Sequence, residues 1–415
     1  MFLNWILGSL AVLSCGLTLW QWLAARRFPL HHRVANQNVS PAISLLKPLK
    51  GRDAETEECL RSWFAQEYSA PIQILFGVAS ANDPVCKLVE ELIRQNPQAD
   101  TQLIICGESL GPNAKISTLI QLERHAKHEI LILSDADVRV PKDLLANVVQ
   151  PLDATERRFA TGLTTSQANE TTNVESRLQK GAPVGLVNCF YRLANPSTAA
   201  MQWEAIAINA DFWSQVLQSQ TLKPLDFALG AVMATRRDIL RRIGGFESLV
   251  DFLADDYQLG NKMARAGKQI VLSPVVVECW ESPMSWRRVW AHQLRWARTI
   301  RVCQAAPFFF SILSNATLWP LLFTAALLAE HHRIWFVPIS ILLPIRIQSA
   351  LKMQEWLTRD TRHYAWFWLV PIKDLLGAAI WALAFMGNTI EWRGEKFRVL
   401  RGGKLKKIES EPTVG

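Results

Sequence analysis

The residues able to do chemistry fall in a few short acidic and basic steps. Ser134-Asp135-Ala136-Asp137-Val138 directly follows the apolar run 129–133. In open α/β sheets ligands gather at the carboxyl ends of strands, and two carboxylates spaced by one residue offer hard oxygen ligands to a divalent cation, Mn²⁺ or Mg²⁺. Such an ion suits a sugar diphosphate. For an isolated Asp-x-Asp the plainer reading, a helix N-cap or turn acid ahead of Pro141, is the better one, and it is the context of the other motifs that favours the metal site. Asp83 lies between the strand-like run 72–78 and Pro84, where an N-cap is the simple reading. Asp255-Asp256-Tyr257 opens a helical pattern over 257–266 closed by Gly267. Both acids then sit at a helix N-terminus, whose dipole lowers their pKa and favours the ionised form. One can cap, leaving the other to point into a cleft.

Three further steps add positive charge and flexible backbone. Gly111-Pro112-Asn113-Ala114-Lys115 places a turn and a lysine before a helix, a favourable phosphate site, or else Lys115 is a solvated surface residue. His292-Gln293-Leu294-Arg295-Trp296 offers a bidentate clamp for a diphosphate in Arg295 and a flat face in Trp296. The same stretch also reads as an interfacial helix anchored by Arg and Trp. Gly230, Gly244 and Gly245 mark turns or close backbone approach.

These steps need a scaffold. Runs 43–46, 72–78, 103–106 and 130–134 read as strands, with helical spacing over 86–95 and 113–128 between them, so an α/β domain over 40–284 with parallel strands and right-handed crossovers is expected. Residues 2–25 form an uncharged apolar run about 36 Å long as a helix, enough to cross a bilayer, and the basic residues follow it. A transmembrane helix over 1–26 with the next segment cytoplasmic satisfies the positive-inside rule better than a cleaved signal. An amphipathic segment over 285–304 leads into apolar runs within 305–392 and a basic tail over 393–415. Lys373 and Asp374, midway along the last run, are expected to face helices or water rather than lipid. Three spans after the first would put the basic tail outside, so one segment is expected to be re-entrant or interfacial.

The chain has 415 residues, 49% hydrophobic and 20% charged, with a formal charge of +8. This excludes a disordered chain, and basic residues clustered beside apolar segments point to anionic headgroups, not nucleic acid. The seven cysteines show no zinc spacing and read as reduced thiols.

Taken in order, Ser44-Leu45-Leu46-Lys47-Pro48-Leu49-Lys50-Gly51, Asn82-Asp83-Pro84, Gly111 to Lys115, Asp135-Ala136-Asp137, Ala254 to Tyr257 and Arg295-Trp296 resemble the ceramide glucosyltransferase family over nearly the whole chain. The resemblance implies a GT-A, Rossmann-like catalytic domain with membrane helices at both ends, in an integral, multi-pass protein with a cytoplasmic catalytic domain. It implies an inverting transfer of a hexose from a UDP-sugar, UDP-glucose first, to the hydroxyl of a membrane lipid such as ceramide. Asp83 matches the acid that contacts the nucleotide, Asp135 the acid at metal and diphosphate, and Asp256 the general base. Lys115, Arg295 and Trp296 complete the nucleotide-sugar site. Asp255 replaces the family's usual Glu, and His292 stands where the last motif begins with Gln or Arg, Gln293 lying one residue late. Asp137 makes the Asp-x-Asp more like bacterial relatives, including the hopanoid-associated glycosyltransferases. A UDP-N-acetylglucosamine-dependent hopanoid enzyme and a catalytically silent nucleotide-sugar binder are the alternatives. A processive polysaccharide synthase needs more spans, and a transporter a smaller soluble part.

Overall fold

A computed structural model describes residues 2–33, 40–161, 182–392 and 395–408. Two compact units emerge, one of residues 29–195 and 223–282, the other of residues 1–28, 196–222 and 283–415.

The first unit is built on an eight-stranded mixed sheet. Its strands are β1 (Ile43–Leu49), β2 (Ile72–Val78), β3 (Asp100–Ile105), β4 (Ile130–Ser134), β5 (Val138–Arg139), β6 (Val184–Leu193), β7 (Val232–Arg236) and β8 (Gln269–Cys279). The order is β3-β2-β1-β4-β7-β6-β8-β5. β1 pairs in parallel with β2, Ile43 opposite Ile72, and with β4, Ile43 opposite Ile130. All seven residues of β1 are buried, as expected of a strand covered on both faces. Helices Thr56–Phe64 and Val85–Gln95 bring Leu60, Trp63, Val85 and Val89 into a core with Ile74, Phe76 and Ile132. The chain adds β2 and β3 on one side of β1, then returns to add β4 on the other. The order therefore reverses between β1 and β4, where an open α/β sheet offers its ligand crevice.

The parallel strands and crossover helices match expectation. β5 to β8 extend the sheet beyond the expected strands, and β7 pairs antiparallel with β4, Ser134 opposite Val232. Residues 196–222, inside the expected 40–284 domain, belong to the other unit.

In that second unit, Phe2–Arg27 is long and apolar enough to cross a membrane. The apolar run after residue 305 is not one straight helix. Segments Ala305–Ser314 and Leu318–Ala329 meet at a 50° bend and pass the same test only as a pair. Helix Val337–Thr358 contains Pro344 and the buried Arg346. Arg346 pairs with Asp374 at 2.7 Å and Asp211 at 3.0 Å, Lys373 pairs with Asp211, and the Thr317 hydroxyl donates to Asp374 at 2.6 Å. The charges at 373 and 374 thus face other helices and each other. Asp211 lies in the π-helical turn Ala207–Phe212. Within the segment read as a basic tail, β10 (Glu395–Val399) and β11 (Leu405–Lys407) join β9 (Thr389–Trp392) in an antiparallel meander.

Candidate active site

The acids converge at the carboxyl ends of β1 and β4. The loop after β4 is held from three sides: the Asp135 amide donates to Ala231 O at 3.3 Å, Lys47 Nζ donates to Asp135 O at 2.5 Å, and the Trp280 amide donates to Asp137 O at 3.0 Å. β5 follows at once and pairs with β8, Val138 opposite Cys279. Two carboxylates spaced by one residue are therefore carried on fixed backbone.

Lys47 has no exposed surface, lies over the Trp63 ring at 5.4 Å, and also donates to Ser134 Oγ at 3.2 Å. Burial pulls its pKa down to about 8, against the opposing pull of Cys59, Asp137 and Asp135. Lys47 stands among the residues that carry the family resemblance, with no role of its own implied there. A lysine inside an otherwise apolar strand was the available signal.

Asp83 ties two loops together. Gly51 N donates to both its oxygens at 3.0 Å, and Val85 N donates to Oδ1 at 3.0 Å. Gly51 has φ of 74°, a conformation glycine adopts freely. The N-cap of the helix Val85–Gln95 is Pro84 and not Asp83, whose carboxylate instead ties the loop after β1 to the start of that helix.

Lys115 is not a solvated surface residue. Asn113 caps its helix, accepting from Ile116 N at 3.2 Å, and its amide donates to Phe252 O at 2.8 Å, fixing the segment that leads to Asp255. Lys115, 9% exposed, reaches Asp135 at 2.7 Å and Asp255 at 3.0 Å. These two charges raise its pKa despite burial.

The acids at the start of helix Asp255–Arg265 depart from expectation. Asp256 is not held in the low range a helix dipole favours: burial, then the charge of Asp255, push its carboxyl up to about 7. Desolvation and a like charge outweigh the dipole and the Tyr257 amide, which donates to Asp256 Oδ1 at 2.7 Å. Neither acid caps the helix by side chain, the N-cap being Ala254. Gly230 makes room for the carboxyl, since a Cβ there would meet Asp256 Oδ2 at 2.9 Å. Gly260 likewise lets the helix pack on the backbone of Phe227 and Ala228, with contacts of 2.4 Å to any added Cβ. Asp137 is also raised, to about 6, by burial and then by Asp135.

Asp83, Lys115, Asp135, Asp137 and Asp256 thus belong to one unit, and Lys115, Asp135 and Asp255 form one ion-paired cluster. Arg295 and Trp296 lie in the other unit, on helix Trp286–Cys303. There Trp296 meets His292 edge-on at 4.8 Å and Phe212 at 6.2 Å. His292 Nδ1 and Gln293 Nε2 both bond Glu204 Oε1, at 2.6 and 2.9 Å, so the two departures from the family motif share a partner. Nothing in the sequence around Glu204, an acid within an apolar helix, had singled it out.

The carboxylate donor set fits a hard divalent cation. Among the described residues no group of three or more His, Cys, Asp or Glu is arranged around a common metal position. Two protein carboxylates suffice where phosphate oxygens complete the shell.

The chain is similar to known glycosyltransferases. The Caenorhabditis elegans ceramide glucosyltransferase 3 is 20% identical over 92% of this chain and 78% of its own length. The ceramide glucosyltransferases of Candida albicans and Komagataella phaffii are 31% and 35% identical, over 28% and 27% of this chain and 24% and 22% of theirs. Among solved structures, the mannosyltransferase PcManGT of Pyrobaculum calidifontis, in complex with GDP-Man and Mn²⁺, is 20% identical with a TM-score of 0.47 over 91% of this chain and 98% of its own. The profile of glycosyl transferase family 21 matches residues 6–180 and 169–405. The match spans almost the whole chain: this protein is a glycosyltransferase and belongs to glycosyl transferase family 21.

Proposed function

We propose that this glycosyltransferase moves glucose from UDP-glucose to the hydroxyl of a membrane lipid such as ceramide, with inversion, and that Asp256 is the general base. The observation that carries the reading is the placement of Asp256, at the start of helix Asp255–Arg265 beside the Lys115–Asp135–Asp255 ion-paired cluster and in the space left by Gly230, where burial and then Asp255 push its carboxyl up to about 7. A base with that pKa is half ionised near neutrality and still basic enough to take a hydroxyl proton.

In the proposed reaction Asp256 accepts the proton of the lipid hydroxyl as its oxygen attacks the anomeric carbon. The bond to the UDP oxygen breaks on the opposite face, giving inversion. Asp135 and Asp137 would hold a divalent cation, whose chemistry when bound is to offset charge on the leaving diphosphate. Lys47 and Trp280 keep that loop in place through backbone carbonyls, and Asp83 holds the loop after β1. Base catalysis at this step contributes roughly 10² to 10⁴ in rate. The apolar helix Phe2–Arg27 and the bent pair Ala305–Ser314 and Leu318–Ala329 support a membrane location of more than one span, and Arg26 and Arg27 at the end of the first helix support a cytoplasmic catalytic unit, where a lipid acceptor is at hand.

The test is transfer from labelled UDP-glucose and UDP-N-acetylglucosamine to ceramide, diacylglycerol and a hopanoid polyol by purified, detergent-solubilised protein with Mn²⁺ or Mg²⁺. Glucosylceramide of inverted configuration is expected. Transfer only from UDP-N-acetylglucosamine, or only to the hopanoid, overturns the stated donor or acceptor.

A further inference from the structure

Outside the catalytic unit, positive charge is concentrated on the small meander β9–β11. Its faces alternate as those of a sheet with one solvated side should. Ile390, Phe397, Val399 and Leu405 are buried, whereas Thr389, Glu391, Lys396, Arg398 and Lys406 stand exposed. Between β10 and β11, Gly402 and Gly403 take φ of 78° and 88° and close a turn that leaves Arg401 exposed.

The register places like charges together. Arg398 lies opposite Thr389 of β9 on one side and opposite Lys406 of β11 on the other, so the three form one row across the sheet. Directly opposite side chains are about 4.5–5.5 Å apart at Cβ, and like charges so placed weaken the pairing. The nearby acids lie elsewhere: Glu391 is opposite Lys396, and Glu395 pairs with Lys407 at 2.5 Å. Neither Arg398 nor Lys406 has an ion-pair partner among the described residues. A phosphate between them would relieve the repulsion, with a guanidinium, an ammonium and the Thr389 hydroxyl as donors.

The anchorage of the meander indicates which phosphate. The apolar helix Leu369–Ala384 ends in the exposed Phe385 and Met386, and β9 begins three residues later. That connection spans at most about 11 Å. Helix Trp286–Cys303 holds it: Arg301 lies over the Phe385 ring at 5.6 Å and donates to Asn388 Oδ1, and Arg298 donates to Thr389 O. Leu400, at the end of β10, is exposed as well. Basic side chains just beyond an apolar helix, rimmed by exposed apolar ones, suit the headgroup layer of an acidic bilayer better than a free anion in water.

We infer that the exposed face of β9–β11 is a docking surface for acidic phospholipid, with one headgroup phosphate seated between Arg398 and Lys406. The inference rests on the membrane location proposed above.

The test is titration of the purified full chain in detergent micelles with phosphatidylglycerol and with phosphatidylcholine, bound lipid being counted by native mass spectrometry. The parent should prefer phosphatidylglycerol. Each basic residue at an acidic surface contributes about fivefold in affinity, so the Arg398→Ser, Lys406→Ser double variant should bind that lipid roughly 25-fold more weakly. Inorganic phosphate at fixed ionic strength should displace no lipid. Equal binding of the two lipids by the parent, undiminished binding by the variant, or displacement by inorganic phosphate overturns the inference, the last by making the row a free-anion site. If the double variant fails to fold, Lys406→Glu serves, since it sets opposite charges across β10 and β11 while repelling phosphate. The same loss is expected, and its absence overturns the inference. Release of the chain from membranes by alkaline carbonate would sink the membrane reading and this inference together. A chain that stays in the membrane but shows no lipid preference sinks this inference alone.

Discussion

Gly230→Ala separates the position of the base from its identity. An added Cβ would stand 2.9 Å from Asp256 Oδ2 and 3.3 Å from Asp256 Cβ and Cγ, against 3.4–4 Å for ordinary contact. The carboxylate must retreat by roughly 0.5–1 Å to restore normal separation. The nearest atom is the end of a side chain, and Gly230 has no positive φ, so alanine adds no backbone strain. Folding should change little, while displacement of about 1 Å at a reacting group costs on the order of 10²-fold in rate. Initial rates at saturating UDP-glucose and ceramide should show that fall in kcat, with UDP binding by calorimetry unchanged. A kcat within twofold of the parent, with correct folding, would refute the claim that the reaction depends on where Asp256 sits.

Other consequences follow from the same cluster. Lys115→Met leaves the buried Asp255 and the partly exposed Asp135 without the ammonium that lies 3.0 and 2.7 Å away, and should lower stability by about 3 kcal/mol in chemical denaturation, mostly through Asp255; an unchanged midpoint would contradict the buried Lys115–Asp255 pair. With Asp256 raised to about 7, kcat/KM should fall tenfold per unit as pH drops below that value, and a flat profile to pH 5 would exclude it as the base. Asp137 and Asp256 are both raised above the ordinary Asp value of 3.8, to about 6 and about 7. The folded state then binds more protons than the unfolded between those limits, so their contribution to stability is full below about pH 4 and is lost as pH rises to 7. Melting scans should show this fall flattened in the Asp137→Asn, Asp256→Asn double variant.

Much of the site was legible because local sequence fixes it. β1 to β4 are short apolar runs between helical patterns, and their order sets the crevice in which Asp135 and Asp137 lie. The later strands were not read, since antiparallel pairing of β7 on β4 and the β6–β8 pairing join residues far apart in the chain. The pKa of Asp256 was misjudged for a related reason: the helix dipole is local and visible, whereas its burial and the glycine that lets it in come from distant segments. Lys115 reads locally as a surface lysine or a phosphate ligand, and the surface reading fails only because folding sets Asp135 and Asp255 against it. Glu204 shows the limit most clearly, because its partners His292 and Gln293 lie almost ninety residues away.

The most direct test of the central claim is Asp256→Asn, which keeps the size of the side chain and removes its ability to take a proton. Measured with labelled UDP-glucose and ceramide, the variant should bind UDP as the parent does and lose at least about 10²-fold in transfer. Transfer at the parental rate would contradict the assignment of Asp256 as the base and, with it, the proposed mechanism.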